Sequence, residues 1–466
     1  MKKYIDEYGN THYIKSELGR GGQGVVYNTK DGDVVIKESF KNNKLITDEK
    51  EINRFHNKVK SIKFKPIPFD IEIARPIALL KNKAGYVMKM LDNMNPLINL
   101  FPNLVSIKEL ENIKIPDFLK SLKDERLQKI FSYYFNTGSL RKRLEVLLKI
   151  AVTLYRLHLR GLVYFDISYN NIFYNDDGIY FIDIDNLKYN SSIKRKDSIQ
   201  TEDFEVPEVA NGIEPNSFYS DIYSFGILAY YLLTIQHPFK GNALENISDE
   251  GWDEEENDEW GNNINIWDLP WIEDSNDDSN RSKGGLRGRL TISEELDMLF
   301  HVLFEEGKTD KYKRSALNLW IKALSDALYQ TIECPNCKAI YYDKYFDKCP
   351  YCKNNKPSRI VINSYLFKDG KKLVKENKYF IREVSDEIKL PEYLFKEFGL
   401  EIFAEVKFSN RRVEFYFQND KEEIYFNKKT KIHRPRQKIG IDKLEEGIYI
   451  IVKSDIEKYL DIRLIK

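Results

Sequence analysis

Cysteine is scarce: there are four in 466 residues, all between Cys334 and Cys352. So few exclude a disulfide framework, and their clustering points to a metal site in a reducing compartment. Long hydrophobic runs are missing too. The longest apolar stretch, FGILAYYLLTI at 225–235, is too short to cross a bilayer and carries two tyrosines. A buried helix is expected there, and no membrane partner. The opening residues MKKYIDEYGNTHY lack the apolar run of a signal peptide, so a cytoplasmic protein is expected. Neither sign of charge is in excess, since 73 Lys and Arg balance 73 Asp and Glu. Such a chain has no global field to draw it to nucleic acid or to an anionic membrane.

What is present suggests several cores. The length calls for two or three domains, and the abundant Tyr and Phe can fill large aromatic interiors. The first stretch alternates short apolar strands with turns, including a hairpin signal at Asp31-Gly32-Asp33. A charged helical segment follows at roughly 46–60, then two strand-like runs, ARPIALL and GYVMKML. From about Leu104 the apolar spacing becomes helical through RKRLEVLLKIAVTLYRLHLRG. A strand-rich part before a helix-rich part predicts two lobes with a cleft between them. Residues 241–280 have no Lys or Arg and hold four of the five tryptophans. They read either as a solvated acidic loop or as a docking segment for a basic partner, with Trp252, Trp260, Trp267 and Trp271 as anchors. Beyond Pro357, strand-like runs punctuated by turns such as Lys368-Asp369-Gly370 and Asn419-Asp420 predict a small β-rich domain.

The chemistry begins at Gly19-Arg20-Gly21-Gly22-Gln23-Gly24. Glycines at this spacing also occur in dinucleotide-binding turns, which must open a helix. Here they are followed by Val25-Val26-Tyr27, a turn, and Val34-Val35-Ile36-Lys37, which is strand, turn, strand. A glycine loop between strands can lie over a triphosphate because no side chain blocks its backbone N–H groups. Lys37 ends an apolar strand and needs a carboxylate partner. Glu51 is expected to supply it from the following helix, with Glu49 as the alternative. Further on, LHLRGLVYFDISYNNIFYNDDGIYFIDIDNL places Asp166, Asn171 and Asp183 on loops between short strands. Asn171 and Asp183 offer hard oxygen ligands for Mg²⁺, and Asp166 can take the proton of an incoming hydroxyl.

Cys334-Pro335-Asn336-Cys337 and Cys349-Pro350-Tyr351-Cys352 form two C-x-x-C knuckles. Pairs at this spacing place four thiolates around Zn²⁺, and a closed four-sulfur set is structural. One C-x-x-C alone would also suit a redox pair; two so close favour zinc. Basic residues there are few, so nucleic acid is not the expected ligand.

From about Leu18 to Tyr329 the sequence resembles the protein kinase superfamily. Gly19, Gly21, Gly24 and Val26 match G-x-G-x-x-G-x-V, VVIK matches V-A-I-K, and YFDISYNN aligns with H-R-D-L-x-x-x-N. IDID stands where the family has the strand ending in D-F-G, and Val206-Pro207-Glu208 stands at A-P-E. SDIYSFGILAYYLLT resembles the helix whose Asp, here Asp221, braces the catalytic loop. KRSALNLWIKAL resembles the helix whose Arg, here Arg314, pairs with the A-P-E glutamate.

The resemblance implies an α+β, bilobal kinase fold over 1–330, with an N-lobe to about 92 and a C-lobe from 93. A zinc ribbon at 331–356 and a β-rich domain at 357–466 follow. It implies ATP and Mg²⁺ as cofactors. Gly19, Gly21 and Gly24 cover the phosphates, Lys37 holds the α- and β-phosphates, and Val26, Val35, Met88 and Met90 surround the adenine. Protein Ser/Thr hydroxyls are the implied acceptors, because tyrosine kinases show arginines after the position of Asp166.

Three departures stand out. Tyr164-Phe165 replaces His-Arg, so control through a phosphorylated loop paired with that arginine is not expected. Ser168 replaces the lysine that helps neutralise the γ-phosphate. Asp185 replaces the glycine of D-F-G, either as a second carboxylate near the metal or as a solvent-facing residue. Ser191, Ser192, Ser198 and Thr201 are candidate autophosphorylation sites or ordinary polar loop residues. The arrangement, with its His237-Pro238-Phe239 motif, is similar to bacterial eukaryotic-like kinases. Some of these are linked to von Willebrand factor A-type proteins and a metal-dependent Ser/Thr phosphatase, which are the partners that the resemblance implies.

Overall fold

A computed structural model describes residues 2–466 apart from 66, 68–70, 72, 177, 196–197, 245–264, 283, 369–370, 386, 390–402, 410–411, 419–422, 427–429, 432–435 and 454–456. Trp252, Trp260, half of the acidic segment, and the turns expected at Lys368-Asp369-Gly370 and Asn419-Asp420 therefore lie wholly or partly outside the described residues. The chain packs as two compact units. One comprises 1–105, 146–285 and 298–321; the other comprises 106–145, 286–297 and 322–466. Segregated helices and antiparallel sheets fit the α+β class.

The first unit opens with β1 (Lys3–Ile5), β2 (Thr11–Gly21), β3 (Gly24–Thr29), β4 (Val34–Lys41), β5 (Lys44–Leu45), helix α1 (Glu49–Lys63), β6 (Pro76–Leu79) and β7 (Gly85–Lys89). The strands form one antiparallel sheet in the order β1-β2-β3-β4-β7-β6, with β5 beside β4. β2 and β3 are a hairpin whose turn is Gly22-Gln23, so the glycines lead into a strand and not into a helix. A Cβ at Gly24 would sit 2.5 Å from the Glu38 carbonyl oxygen, and one at Gly85 would sit 2.4 Å from that of Lys37. Glycine on both sides lets β4 be approached closely.

Helix α1 starts at Asp48, whose side chain accepts the Glu51 N–H. Acidic residues fill its first turn and basic residues its last, which suits the helix dipole. Ile52, Val59 and Ile62 give it a buried stripe, and Phe55 stacks on Tyr86 with centroids 6.4 Å apart. Helix Phe218–Thr234 is buried all round and begins with a capping box at Ser217. It is the buried helix expected at the longest apolar run.

Trp271 corrects one sequence expectation. It is fully buried, stands 4.8 Å from His301 and 5.3 Å from Phe304 between ring centroids, and donates its indole N–H to Glu305. It is therefore a core residue and not an exposed docking anchor. A low-charge aromatic has more to gain from the interior than from an acidic loop.

His237 is also buried. Its ring donates to the Asp203 carbonyl at 2.8 Å and accepts the Phe239 N–H at 3.2 Å, which holds the imidazole neutral. Burial lowers its pKa from 6.5 to about 4. Between those values the unfolded chain binds the extra proton, so the stability due to this group is complete above pH 6.5 and is lost as pH falls towards 4. A loss of up to about 3 kcal/mol is expected across that window. It should be smaller in His237→Asn, as measured by urea denaturation at pH steps.

In the second unit, residues 331–333 and 340–342 pair as a short hairpin. Residues 359–465 contribute a six-stranded and a four-stranded antiparallel sheet. Tyr351 packs edge-on against Phe135 at 5.0 Å, and Arg141 pairs with Glu383 at 2.7 Å. No helix among the described residues is long and apolar enough to cross a membrane.

Candidate active site

Beneath the β2–β3 hairpin of the first unit lies a cavity of about 660 Å³. Gly19, Gly21 and Gly24 roof it, and Val26, Val35, Met88 and Met90 line it on the sheet side. Lys37, Asp166, Asn171 and Asp183 stand at its polar end. A Cβ at Gly19 or Gly21 would meet nothing within 4 Å, so the roof keeps open space beneath it. Lys37 and Asp183, 146 positions apart, thus share one cavity.

The polar end is held by unusual backbone and by buried bonds. Phe165 and Asp183 both have positive φ, at 82° and 55°. Such conformations are costly outside glycine and persist where their surroundings enforce them. Asp221 does so at Phe165: its carboxylate accepts the backbone N–H groups of Tyr164 and Phe165 at 2.8 and 3.0 Å and contacts His158 at 2.9 Å. The Tyr164 hydroxyl donates to the Ile182 carbonyl at 2.5 Å, tying the loop of Asp166 to that of Asp183. The Asn171 amide donates to the Asp166 carbonyl at 3.0 Å. That use of its nitrogen leaves its oxygen as the acceptor. An amide oxygen and a carboxylate are the donor set that a hard divalent cation prefers, so these residues fit Mg²⁺.

Burial raises the pKa of Asp166; the hydroxyl of Thr201, donating to its carboxylate, opposes the rise, and the nearby charge of Asp183 adds to it. A raised carboxylate is a better proton acceptor. Thr201 therefore shows that a side-chain hydroxyl can reach the Asp166 carboxylate.

Lys37 is buried, and burial alone would lower its pKa. Asp185, Tyr86 and Asp183 outweigh that and hold it well above the ordinary value. Its ammonium donates to Asp185 at 2.8 Å and to Asp183. The expected pairing with Glu51 is not made. Glu51 pairs with Lys41 at 3.1 Å and with Arg54 at 2.8 Å. Glu49 is exposed. The reason is position: Lys41 lies four residues past Lys37, roughly 13 Å along the strand. Where α1 meets the Asp183 loop it presents Lys58, whose ammonium donates to Asn186 at 2.8 Å.

Ser168 is buried beside this end. Farther off, Arg314 grips Glu208 with two bonds of 2.7 and 2.8 Å. Tyr86, Lys58, the tie that the Tyr164 hydroxyl makes to Ile182 and the paired role of Asp185 were not singled out by sequence reasoning. The only signal for Asp185 was its departure from glycine.

The family described as Protein kinase domain matches this chain over residues 103–318. The match supports the protein kinase superfamily. It begins after the glycine hairpin and Lys37, which rest on the geometry above. A protein named serine/threonine-protein kinase R436 from Acanthamoeba polyphaga mimivirus is 29% identical over 156 residues, covering 29% of this chain and 56% of that one. Human serine/threonine-protein kinase Nek5 is 25% identical over 162 residues, covering 31% of this chain and 23% of its own length. The chain thus spans about half of one relative and about a quarter of the other. A protein kinase domain in general implies ATP and Mg²⁺ use and protein substrates.

In the second unit the four cysteine sulfurs all lie within 4.8 Å of one another. Cys334 and Cys352 are 3.5 Å apart, Cys337 and Cys349 3.6 Å. Tetrahedral Zn–S bonds of about 2.3 Å would put sulfurs roughly 3.8 Å apart, so the cluster is compatible with zinc. The knuckles share one design. The N–H groups of Lys338 and Lys353 return to the carbonyls of Cys334 and Cys349, each at 3.0 Å, and both lysines are left-handed with φ 60° and 62°.

Proposed function

We propose that the protein is a Mg·ATP-dependent protein kinase that transfers the γ-phosphate to Ser or Thr hydroxyls. The observation that carries this is the sharing of one cavity by Lys37, Asp166, Asn171 and Asp183 beneath a glycine hairpin. In this reading Gly19, Gly21 and Gly24 give backbone N–H groups to the phosphates, and Lys37 grips the α- and β-phosphates. The adenine lies among Val26, Val35, Met88 and Met90. Asn171 and Asp183 hold Mg²⁺, which supplies charge to the phosphates. Asp166 accepts the proton as the acceptor oxygen bonds to phosphorus and ADP leaves. Glu51 has no part in it.

Residues 1–330 form the catalytic domain in this reading, 331–356 a zinc ribbon held by Cys334, Cys337, Cys349 and Cys352, and 357–466 a tail for partners. Clustered free thiols suit a cytoplasmic location, and the tail and ribbon are where von Willebrand factor A-type or phosphatase partners would be sought. The test is purified protein with labelled ATP and generic acceptor proteins, followed by phosphoamino-acid analysis. Label is expected on Ser and Thr, reduced about a hundredfold in Asp166→Ala. Equal label in both proteins would remove Asp166 from catalysis.

A second reading has one observation in its favour: Ser168 stands, buried, where the family has a lysine. An ATP-holding scaffold without turnover would bind nucleotide but label no acceptor.

A further inference from the structure

On the proposed reading of the cleft as a Mg·ATP site, the pairing of Lys37 carries one more step. Lys37 on β4 and Tyr86 on β7 are direct partners in the sheet register, so their side chains share one face. Both reach a single carboxylate: Asp185 accepts the Lys37 ammonium at 2.8 Å on one oxygen and the Tyr86 hydroxyl at 2.7 Å on the other. All three residues are buried. A carboxylate buried with both oxygens engaged by fixed partners is a rigid anchor. Asp183 is the other partner of Lys37, and a ligand that also serves a metal cannot be the fixed one.

We propose that Asp185 is the positioning residue for Lys37, replacing a carboxylate on α1. The turn Ile184–Asn186 and the residue before it, Asp183, would then set both the phosphate-gripping ammonium and the metal carboxylate. The position of Lys37 is uncoupled from Glu51, and α1 meets that turn through the Lys58–Asn186 bond instead. Asp185 acts through Lys37 and touches neither nucleotide nor metal.

The test uses the full chain. Asp185→Asn keeps the shape and removes the charge, so the KM for ATP should rise about tenfold or more with a smaller change in kcat. The rise should exceed that in Glu51→Gln by at least the same factor. Tyr86→Phe, which leaves the carboxylate in place, should give a smaller rise and serves if Asp185→Asn folds poorly. A readout without activity is the thermal double-mutant cycle of Lys37→Met with Asp185→Asn. The paired loss in Tm should be clearly less than the sum of the single losses, whereas Lys37→Met with Glu51→Gln should add. Additive losses for the first pair, or a larger KM effect at Glu51, overturn the proposal. If the wild-type protein binds no Mg·ATP while the cycle still shows coupling, the cleft reading has failed and the pair is only structural. If it binds and the cycle is additive, Asp185 alone has been misassigned.

Discussion

Asp183→Asn is expected to lower kcat/KM for phosphate transfer about a thousandfold while leaving the fold intact. The substitution is chosen for its backbone. Asp183 sits at φ 55°, and Asn is among the few residues that tolerate the left-handed region, so Ala would confuse strain with chemistry. Asn keeps the shape of the side chain and removes the charge that faces the metal. A preorganised charge aimed at the reacting phosphates is commonly worth two to three orders of magnitude, and a metal ligand stands at the upper end. Lys37 keeps Asp185 as a partner in the variant, so no buried ammonium is left alone. Steady-state kinetics beside a thermal melt make the check. A loss of activity that merely tracks a loss of folded protein would count against the assigned role.

Removal of the zinc proposed for the cysteine cluster should have the second large effect. The hairpin at 331–333 and 340–342 has three-residue strands, far too little to fold by itself. Its small core joins Cys334 and Cys349 to Ile332, Tyr341 and Ile381, with Val361 packed alongside. Ile381 and Val361 belong to the strands that follow, so the cysteine cluster and the start of the tail share one interior. Burial pushes the Cys349 thiol up to about 11, a cost that a metal ion removes by binding the thiolate. One zinc per chain is expected by elemental analysis. A strong chelator, or Cys349→Ser, should destabilise the second unit by roughly 5 kcal/mol or more. Protease cleavage within 331–383 would report it. Full resistance to cleavage after complete metal removal would mean that the cluster is not structural.

That the glycine hairpin, Lys37, Asp166, Asn171 and Asp183 would share one cavity was legible because each lies in a short stretch whose spacing limits the backbone. Strand, turn, strand after Gly24 excludes a helix-opening turn, and the hairpin is present. The partner of Lys37 was not legible, because it depends on where α1 docks along its axis. Glu51 and Lys58 lie on one face of the helix but are roughly 10 Å apart along it. Only packing decides which of them meets the Asp183 loop, and it is Lys58. Asp185 was read as either a second metal carboxylate or an exposed residue; it is neither exposed nor free of a partner. Trp271 misled for another reason. Composition averaged over 241–280 describes the segment and hides residues that turn inward, Trp271, Ile272 and Asn280 among them.

Crystals grown with Mn²⁺ and a non-hydrolysable ATP analogue give the most direct measurement, read by anomalous scattering. The triphosphate should lie under Gly19–Gly24 against Lys37, with a manganese peak within bonding distance of the side-chain oxygens of Asn171 and Asp183. Nucleotide bound outside this cavity, or metal held without Asp183, would contradict the account.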